Sequence, residues 1–506
     1  LGQGCLKFRQ IVLAATHGVH DPFQHITLAS SALALYKSTM LEENLIGALP
    51  ADMIRELRAG FCGGRTGGCK LWYSCAPDER IEYVDFTSLY PFINKNMPYP
   101  VGHPTVHTAA PWPSYYDVGL SIWKVDVICP QTLYMPLLHS KTPGHAELRC
   151  DLKDKVEQLY TNIELKEAFR LGYKVKTVHK VWVWHRTRCG LFADYINLFL
   201  KLKQQSAGWP RPNMTEEAKD TYIQDYAQHE DIKLDRKLVK ENEGVYRTAK
   251  LYLNSLWGKM GQRLDEDFTV TKILHASAAG QLEFNKIQAS GLLADLTIIN
   301  EHTIVTSVRR PKIPSHEVCA SSSIPIAIFT TAHARLKLYR DFLEPLGRRV
   351  LYFDTDSVLF VHKTSENPAQ LISLGSYLGD PTNELEKNMP TAYSDSNFIT
   401  EFRCAGPKNY AFVTNTGAVT LKVKGVSTSK RYASNLLSFD MMSSAILSDN
   451  KLQLTFNQIQ RSNEFKITTS AVTKTYQCTF AKRRRLPVER NENGLVMCID
   501  SVPWER

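Results

Sequence analysis

The chain contains 506 residues, of which 43% are apolar and 22% charged, as in a folded protein with more than one hydrophobic core. No apolar run reaches the roughly eighteen residues that a membrane-spanning helix needs, so no membrane partner is expected. The formal net charge of +10, from 61 Lys and Arg against 51 Asp and Glu, indicates a polyanionic partner. The eleven cysteines contain no Cys-x-x-Cys pair, so a zinc site is not expected.

The first hundred residues contain a helical pattern, a glycine loop and a strand that ends in a carboxylate. Apolar residues follow helical spacing over 28–41, and 60–68 is a glycine-rich loop whose backbone can lie close to another group. Residues 81–85 alternate as a strand does, with Asp85 at its end, and Ser88 is placed to begin a helix. An Asp at a strand end is usually a helix cap or a turn former, so Asp85 alone does not establish a metal site.

The middle of the chain contains a helix with an unusual polar stripe. Residues 150–204 predict a helix, a pair of strands and a second helix, and 209–213 predicts a linker. Residues 215–261 are strongly helical. Six of their residues share one face at spacings of three and four, namely Arg247, Lys250, Asn254, Trp257, Gly258 and Gly261. Two cations, an amide, an aromatic ring and glycines suit a triphosphate and a base pair, although a solvated basic face is the alternative.

Two further carboxylates lie at the apex of a predicted hairpin. Apolar runs at 350–353 and 358–361 flank Asp354, Asp356 and Ser357. Carboxylates two residues apart repel one another, and a divalent cation such as Mg²⁺ would neutralise them. A polar hairpin end without metal is the alternative. Two strand-borne Asp sites separated by a basic helix, however, suggest a two-metal centre for phosphoryl transfer.

The last hundred residues mix short strands with basic stretches. The run Lys482–Arg485 predicts a solvated face or a flexible tail, and such a run can also act as a nuclear import signal.

Five motifs of this sequence resemble those of the family B DNA polymerases, and they occur in the family's order. Three are the core motifs: Asp85-Phe86-Thr87-Ser88-Leu89-Tyr90-Pro91 resembles motif A, Lys250-Leu251-Tyr252-Leu253-Asn254-Ser255-Leu256-Trp257-Gly258 motif B, and Tyr352-Phe353-Asp354-Thr355-Asp356-Ser357 motif C. Two are flanking motifs: Phe61-Cys62-Gly63-Gly64 is similar to the upstream Tyr-x-Gly-Gly loop, and Lys408-Asn409-Tyr410 to Lys-x-Tyr. The segments at 160–209 and 262–345 lie where protein-primed members carry insertions. The sequence is also similar to polymerases of Polinton (Maverick) elements and animal viruses.

The resemblance implies an α+β fold shaped as a right hand, with an antiparallel-sheet palm, helical fingers, a thumb and insertions of the protein-primed type. The implied division is a remnant of an exonuclease domain or linker (1–50), palm (51–150), an insertion resembling the terminal-protein region (151–214), fingers (215–262), a second insertion (263–315), palm (316–402), and thumb with a basic tail (403–506).

The resemblance also implies a role for each matched residue in template-directed DNA synthesis from dNTPs. The catalytic carboxylates would be Asp85, Asp354 and Asp356. Two Mg²⁺ ions, with Mn²⁺ as an alternative, would be held by Asp85, Asp356 and the Phe86 carbonyl. The nucleotide would be bound by Ser88, Leu89, Tyr90, Arg247, Lys250 and Asn254, with Tyr90 excluding a ribose 2′-hydroxyl. DNA would be contacted by Gly63, Gly64, Trp257, Gly258, Ser357, Lys408 and Tyr410.

The sequence departs from the family pattern in three places. Trp257 replaces the usual motif B Tyr, and Phe61 replaces the Tyr of the upstream loop. The N-terminus resembles only the tail of an exonuclease domain, so the chain is expected to be N-terminally incomplete and without proofreading.

The expected partners are a primed DNA template, dNTPs and a terminal priming protein. The protein is expected to be a monomer that acts inside the cell, in the nucleus of an animal host or in a viral context. Two alternatives stay open. One is a degenerate relic that binds DNA without catalysis. The other is a polymerase that uses ribonucleotides or an RNA template, and Tyr90 argues against ribonucleotides.

Overall fold

The structure is a computed structural model that describes residues 2–116, 119–141, 148–263, 268–310, 318–319, 322–386, 390–425, 437–448, 450–461 and 466–505. The α-helices are α1 (Gly2–Ala15), α2 (Leu28–Thr39), α3 (Ala51–Leu57), α4 (Leu89–Asn96), α5 (Asn162–Arg170), α6 (Ala193–Ser206), α7 (Glu216–Glu230), α8 (Glu243–Met260), α9 (Ala278–Ala289), α10 (Ile324–Leu338), α11 (Glu344–Leu346), α12 (Pro368–Leu371) and α13 (Phe439–Ser448). Among the described residues, none of these helices is both long and apolar enough to cross a membrane.

The strands include long pairs and many short segments. They are β1 (Leu49–Pro50), β2 (Thr66–Gly68), β3 (Lys70–Ser74), β4 (Glu79–Phe86), β5 (Tyr99–Pro100), β6 (Thr105–His107), β7 (Leu120–Ile128), β8 (Ser140–Lys141), β9 (Leu148–Arg149), β10 (Lys155–Thr161), β11 (Lys174–Trp184), β12 (Thr187–Arg188), β13 (Phe268–His275), β14 (Leu293–Asn300), β15 (Thr303–Arg310), β16 (Val318–Cys319), β17 (Val350–Asp354), β18 (Ser357–Lys363), β19 (Pro381–Asn383), β20 (Ile399–Gly406), β21 (Asn409–Thr414), β22 (Val419–Lys422), β23 (Leu452–Arg461), β24 (Ile467–Tyr476), β25 (Arg484–Arg490) and β26 (Val496–Val502).

A large antiparallel sheet forms the centre of the molecule. Its strand order is β2-β17-β18-β4-β20-β3-β26-β25, with β19 attached to β4, and with β21 and β22 beyond β20. The hairpin predicted over 350–361 is confirmed, because β17 and β18 pair with Asp354 opposite Ser357. Apolar side chains on both faces of β17 and β18 are buried, which is why both strands read as continuous apolar runs. Helices and antiparallel sheets occur in one chain, so the predicted α+β class is confirmed.

The basic run near the C-terminus belongs to this sheet and is not a tail. Arg484 and Arg485 begin β25 and pair with β26, which continues to β3. Arg483 is buried and donates to the Ser501 hydroxyl at 3.0 Å, while Lys482 donates to the Thr66 carbonyl at 2.9 Å. Composition alone could not reveal this, because the pairing of β25 with β26 and the contact between Lys482 and Thr66 form only in the folded chain. The sheet also continues past position 402, which falls inside β20.

A second sheet, in the order β10-β7-β11-β6, packs with α5 beside the central sheet. The helix, two strands and helix predicted over 150–204 are found as α5, β11, β12 and α6, but the strand β10 precedes them, and β11 and β12 pair with β7 and β5 and not with each other. The first element is a strand because its partner is β7, far upstream, and the helix begins only at the Thr161–Glu164 capping box. This sheet takes strands from both sides of position 150, and the division into domains stays a prediction.

Four helices, α1, α2, α6 and α8, pack together beside the sheet. Their core contains the Tyr252 ring, whose hydroxyl lies 2.7 Å from the Ser31 hydroxyl, and the Tyr195 hydroxyl donates to the Tyr252 carbonyl at 2.8 Å. Helix α10 is buried on almost every face and joins this helical core to the core under the sheet. All residues of the apolar run Ile324–Phe329 in α10 are buried.

Two smaller units complete the described fold. Strands β13, β15 and β14 form a three-stranded sheet that packs with α9 around Leu274, Ile287 and Val308. Strands β23 and β24 form a long two-stranded ribbon near the C-terminus.

Candidate active site

The predicted catalytic carboxylates meet at one end of the central strands. Strand β4 runs antiparallel to β18, and this register places Asp85 opposite Ser357. The backbone N–H of Phe86 donates to the carbonyl of Asp356 at 2.8 Å, so the end of β4 touches the β17–β18 turn. Ser357 is buried, and its hydroxyl donates to the Asp354 carbonyl at 3.3 Å. The structure thus brings together Asp85, Asp354 and Asp356 from segments about 270 residues apart in the sequence.

The turn between Asp354 and Asp356 is fixed by the glycine-rich loop upstream. Thr355 has a φ of 62°, a conformation that costs free energy for a β-branched residue and persists only where neighbours hold it. Its N–H donates to the Arg65 carbonyl at 2.7 Å. A Cβ on Gly64 would lie 2.7 Å from the Thr355 side chain, so only glycine permits this approach. Gly63 is exposed beside it, and its carbonyl accepts a hydrogen bond from Arg335.

Asp85 and Asp356 lie in an environment that disfavours their charged forms. Burial, followed by the charges of Asp356 and Glu384, raises the pKa of Asp85, and the nearby Lys250 ammonium opposes this rise. Burial and the charge of Asp354 raise the pKa of Asp356, while Lys408 opposes the rise. Carboxylates that share a site and lack enough positive charge behave in this way, and a bound cation would reverse the effect.

The donor set fits magnesium bound jointly with a substrate. Within the described residues, no group of three or more His, Cys, Asp or Glu side chains is arranged to hold a metal by itself. Mg²⁺ usually takes one or two carboxylates and completes its octahedral shell with water and phosphate oxygens. Asp85 and Asp356, with the Phe86 backbone between β4 and the turn, match that requirement better than they match a closed metal cage.

Asp354 differs from the other two carboxylates because it already has a cation. The Lys408 ammonium lies 2.8 Å from both oxygens of Asp354, and the Lys408 N–H donates to the Tyr352 hydroxyl at 2.9 Å. Tyr410 is buried beneath, with its ring centroid 4.7 Å from that of Tyr352 and its hydroxyl 3.2 Å from that of Tyr83. The predicted DNA-binding residues Lys408 and Tyr410 therefore lie against the turn between Asp354 and Asp356.

The turn after β4 presents a strained serine to a buried lysine. Ser88 adopts a left-handed φ of 54° and precedes α4, which begins at Leu89 as predicted. Its side chain does not cap the helix but accepts a hydrogen bond from the Lys203 ammonium at 3.2 Å. Burial, followed by the charge of Lys250, lowers the pKa of Lys203 to about 8. The Leu89 side chain is buried in the core, so Leu89 can offer only its backbone to a ligand.

The polar stripe predicted on 247–261 faces away from the helical core. In α8, Arg247, Lys250, Asn254 and Gly258 are exposed, and the opposite face is buried. The ring of Trp257 stacks on that of Tyr90, with centroids 4.3 Å apart and planes 20° apart. Burial raises the pKa of Tyr90 to about 12, so its hydroxyl is neutral.

The ends of the stripe behave differently from its centre. Arg247 at the N-terminal end forms an ion pair with Glu243 one turn earlier, and the structure does not bring it to the carboxylates. Gly258 has open space where a Cβ would project. Gly261 at the C-terminal end packs against Phe61, where a Cβ would lie 2.8 Å from the ring, so α8 ends against the glycine-rich loop.

Sequence reasoning missed two charged residues of this site. Glu384 follows β19, a short strand that pairs with β4, and its charge acts on both Asp85 and Asp356. Nothing local marks it, because only the pairing with β4 places it there. Lys203 had a signal, since it continues the apolar stripe of Ile196, Phe199 and Leu200 on α6. A lysine on the buried face of a helix is uncommon and indicates a special environment.

Comparisons with known proteins agree with this geometry. No curated protein matches the chain. Its fold is similar to that of Phi29 DNA polymerase complexed with primer-template DNA and incoming nucleotide substrates, with a TM-score of 0.59 and 14% identity, covering 93% of this chain and 70% of that one. The same polymerase complexed with primer-template DNA alone gives a TM-score of 0.55 at 15% identity, covering 92% and 70%. With single-stranded DNA it gives 0.55 at 16% identity, covering 93% and 70%.

The predicted right-hand polymerase fold is therefore confirmed. A family model described as DNA polymerase type B, organellar and viral, matches residues 3–342, a span that contains Asp85, the Ser88 turn and all of α8. The match covers more than half of the chain, and the chain belongs to the organellar and viral type B DNA polymerases.

Proposed function

We propose that this protein is a template-directed DNA polymerase that transfers nucleotides from dNTPs to a primer 3′-hydroxyl with two Mg²⁺ ions. The observation that carries the proposal is the meeting of Asp85 and Asp356, two carboxylates whose charged forms are disfavoured until a cation is bound. Mn²⁺ is the alternative ion.

Asp85, Asp356 and the Phe86 carbonyl would hold the two ions. When bound, the ions would stabilise the negative charge on the attacking primer oxygen and on the leaving pyrophosphate. We do not assign Asp354 as a metal ligand, because both of its oxygens contact the Lys408 ammonium. Its part is to hold the Lys408 ammonium at the turn, where that cation can meet the primer terminus.

Binding of the nucleotide triphosphate would fall to two lysines on neighbouring helices. Lys250 projects from the exposed face of α8 toward Asp85, and Lys203 reaches Ser88 from α6. Asn254 lies one turn after Lys250 on the same face, and the backbone of Leu89 begins α4, where helix N–H groups attract phosphate. Arg247 would need to leave Glu243 before it could contribute.

Selection of the sugar would depend on the stacked rings of Tyr90 and Trp257. A ring held in place by a second ring cannot easily move aside for a ribose 2′-hydroxyl. The larger indole of Trp257 extends this wall next to the nascent base pair, and the open space at Gly258 leaves room for DNA to approach the helix.

Template and primer would be held by backbone contacts and by the Lys408 ammonium. Gly63 is exposed and Gly64 half-buried next to the turn between Asp354 and Asp356, and the buried residues Ser357 and Tyr410 support that turn. A terminal priming protein and action as a monomer in an animal nucleus or a viral context remain proposals that rest on the sequence resemblance.

The experiment is the extension of a labelled primer on a DNA template with a single complementary dNTP and Mg²⁺. We expect wild-type protein to add the templated nucleotide, and Asp356→Asn to bind the primer-template without extending it. Asp395→Asn is the matched control, because the Asp395 side chain is 98% exposed and lies outside the site. The proposal fails if wild type shows no Mg²⁺-dependent addition, or if Asp356→Asn extends the primer equally well.

A further inference from the structure

The segment between α6 and α8 contains the helix α7, whose last turn contacts the loop that precedes β19 of the central sheet. The ring of His229 stacks on that of Tyr377, with centroids 4.0 Å apart and planes 10° apart. The next residue, Glu230, is only 4% exposed and accepts a hydrogen bond from the Leu378 N–H at 2.5 Å. The first half of α7 is mostly exposed, and the contacts at its C-terminal end join the helix to Tyr377 and Leu378.

Glu230 is also the partner of a lysine from α4. The Lys95 ammonium lies 3.1 Å from a Glu230 carboxylate oxygen and also donates to the Glu230 backbone carbonyl. The side chains of both residues are at least nine-tenths buried. Removing the carboxylate would leave the Leu378 N–H without this acceptor and the buried Lys95 ammonium without its counter-charge, which is costly in a protein interior.

The loop that Glu230 holds, residues 377–380, lies directly on the nucleotide-binding turn. The Gly379 N–H donates to the Thr87 carbonyl, and the Thr87 N–H donates to the Asp380 carbonyl, both at 2.8 Å. Gly379 has a φ of 81°, and a Cβ there would lie 2.4 Å from the Phe92 ring of α4. The loop is therefore fixed between α7 on one side and Thr87 on the other.

Thr87 precedes Ser88, whose left-handed backbone presents its hydroxyl to Lys203. A strained residue keeps its conformation only where the surroundings hold it. The hydrogen bonds from residues 379 and 380 are part of those surroundings, and Glu230 fixes the loop that makes them. Glu230 also lies near enough to Lys203 for its charge to favour the ammonium form of that lysine.

We propose that Glu230 is a positioning residue for nucleotide binding, acting through the 377–380 loop and the Thr87–Ser88 turn. This inference rests on the proposed polymerase function. Helix α7 would keep the triphosphate-binding side of the site in its binding conformation. Loss of the Glu230 carboxylate should weaken nucleotide binding and leave the chemical step at Asp85 and Asp356 unchanged.

The test is the steady-state kinetics of single-nucleotide incorporation by Glu230→Ala, Glu230→Gln and Glu217→Ala. Glu217 lies on the same helix with its side chain exposed, and is the matched control. We expect Glu230→Ala to raise the dNTP KM about tenfold with kcat within about twofold of wild type, the effect of losing hydrogen bonds to one charged group. Glu230→Gln keeps an acceptor for Leu378 and should restore part of the affinity.

A second variant separates positioning from general destabilisation. Gly379→Ala disturbs the same loop from the side of Phe92, so it should raise the dNTP KM as well, and the double variant should be less than additive. Amide hydrogen exchange should accelerate at residues 87–89 and 377–380 in Glu230→Ala. Faster exchange across the whole protein with a fall in kcat alone would show a merely structural role and overturn the inference.

The two proposals can fail separately. If wild type incorporates nucleotides and Glu230→Ala has an unchanged KM, only the role of Glu230 is refuted. If wild type incorporates no nucleotide under any Mg²⁺ concentration, the polymerase function is refuted and the role of Glu230 falls with it.

Discussion

Asp85 illustrates how a residue that we propose to bind metal can lower the stability of the folded protein. Its carboxylate is buried near Asp356 and Glu384, and Lys250 offsets only part of that negative charge. Free energy that folding loses here is recovered when a cation binds, because a ligand that binds only the folded state stabilises it. Metal affinity and stability should therefore respond together to changes at this residue.

We predict that Asp85→Asn is more stable than wild type in metal-free buffer at pH 8, by about 1–3 kcal/mol, the desolvation cost of a buried polar group. The unfolded carboxyl has a pKa of about 3.9, and burial raises the pKa of Asp85 in the folded protein. At pH values above 3.9 and below the raised pKa of folded Asp85, the folded state binds more protons than the unfolded state. The free energy of unfolding of the wild type therefore falls as the pH rises through this range. The difference between the two proteins should shrink as the pH is lowered toward 4.

Thermal melts with a chelator at several pH values would measure this effect, with Asp395→Asn as the exposed control. Added Mg²⁺ should stabilise wild type and leave Asp85→Asn unchanged. An Asp85→Asn protein that is less stable than wild type at pH 8 would contradict our description of the site.

The stack of Tyr90 on Trp257 leads to a prediction about sugar choice. Removing the ring by Tyr90→Ala should increase the efficiency of ribonucleotide use relative to dNTPs by about 10- to 200-fold, the range for one small group in a shaped pocket. Tyr90→Phe keeps the ring and should keep the discrimination. Competition between the matched dNTP and rNTP would measure both, and an unchanged ratio in Tyr90→Ala would remove Tyr90 from sugar selection.

At the scale of elements, helices α6 and α8 each place a lysine near the turn from Asp85 to Ser88. Burial and the charge of Lys250 lower the pKa of Lys203 to about 8, so Lys203 loses its charge as the pH rises above that value. We predict that the dNTP KM of wild type increases above pH 8. Lys203→Arg stays charged and should show a flatter profile, whereas Lys203→Met should raise the KM about 10- to 100-fold at pH 7.

The matched control for this pH series is Lys201→Arg, on the same helix but outside the contact with Ser88. If Lys203→Arg has the same pH profile as wild type, the titration belongs to another group and Lys203 does not bind the triphosphate.

A buried ion pair connects α5, α10 and the glycine-rich loop. The Arg335 guanidinium lies 2.6 Å from the Glu164 carboxylate and also donates to the carbonyls of Cys62 and Gly63. Burial alone would raise the pKa of Glu164, but the charge and hydrogen bonds of Arg335, together with His139 and the Thr161 hydroxyl, outweigh burial and lower the pKa to about 2. This ion pair therefore supports the glycine-rich loop, which contacts the turn between Asp354 and Asp356.

We predict that Glu164→Gln lowers the free energy of unfolding at pH 7 by about 3–5 kcal/mol, because it leaves the buried Arg335 charge uncompensated. The stabilising effect of Glu164 is complete above its unfolded pKa of about 4.3 and is lost as the pH falls through the folded value. Denaturant titrations at pH 7 and pH 3 would show the smaller difference at pH 3. Glu157→Gln, at an exposed ion pair, is the control, and an equal effect of both variants would contradict the prediction.

At the scale of the whole molecule, the sequence predicted those parts of the site that lie within one segment. The β17–β18 hairpin, the end of β4 at Asp85 and the polar face of α8 each depend on neighbours a few residues away. Glu384 and Glu230 could not be predicted, because the first is placed by the pairing of β19 with β4 and the second by contacts between segments about 150 residues apart. The place of the basic run Lys482–Arg485 in the sheet could not be predicted either, because its hydrogen bonds to Ser501 and Thr66 form only in the folded chain.

The groups of the candidate site come from different parts of the fold. The central sheet fixes the carboxylates, the helices α6 and α8 supply the cations, and α7 ties the two together through the 377–380 loop. Each part contributes a group that would be unfavourable alone, which is typical of functional sites.

The most direct test of the central claim compares Asp85→Asn, Asp356→Asn and Asp354→Asn in rapid single-nucleotide incorporation over a range of Mg²⁺ concentrations. We predict that the first two lose at least about a hundredfold in rate, as when a group that stabilises transition-state charge is removed. Asp354→Asn, which loses only the ion pair with Lys408, should lose less and keep its Mg²⁺ dependence. Equal losses in all three variants, or a wild-type rate that does not depend on Mg²⁺, would contradict the assignment of Asp85 and Asp356 as the metal-binding carboxylates.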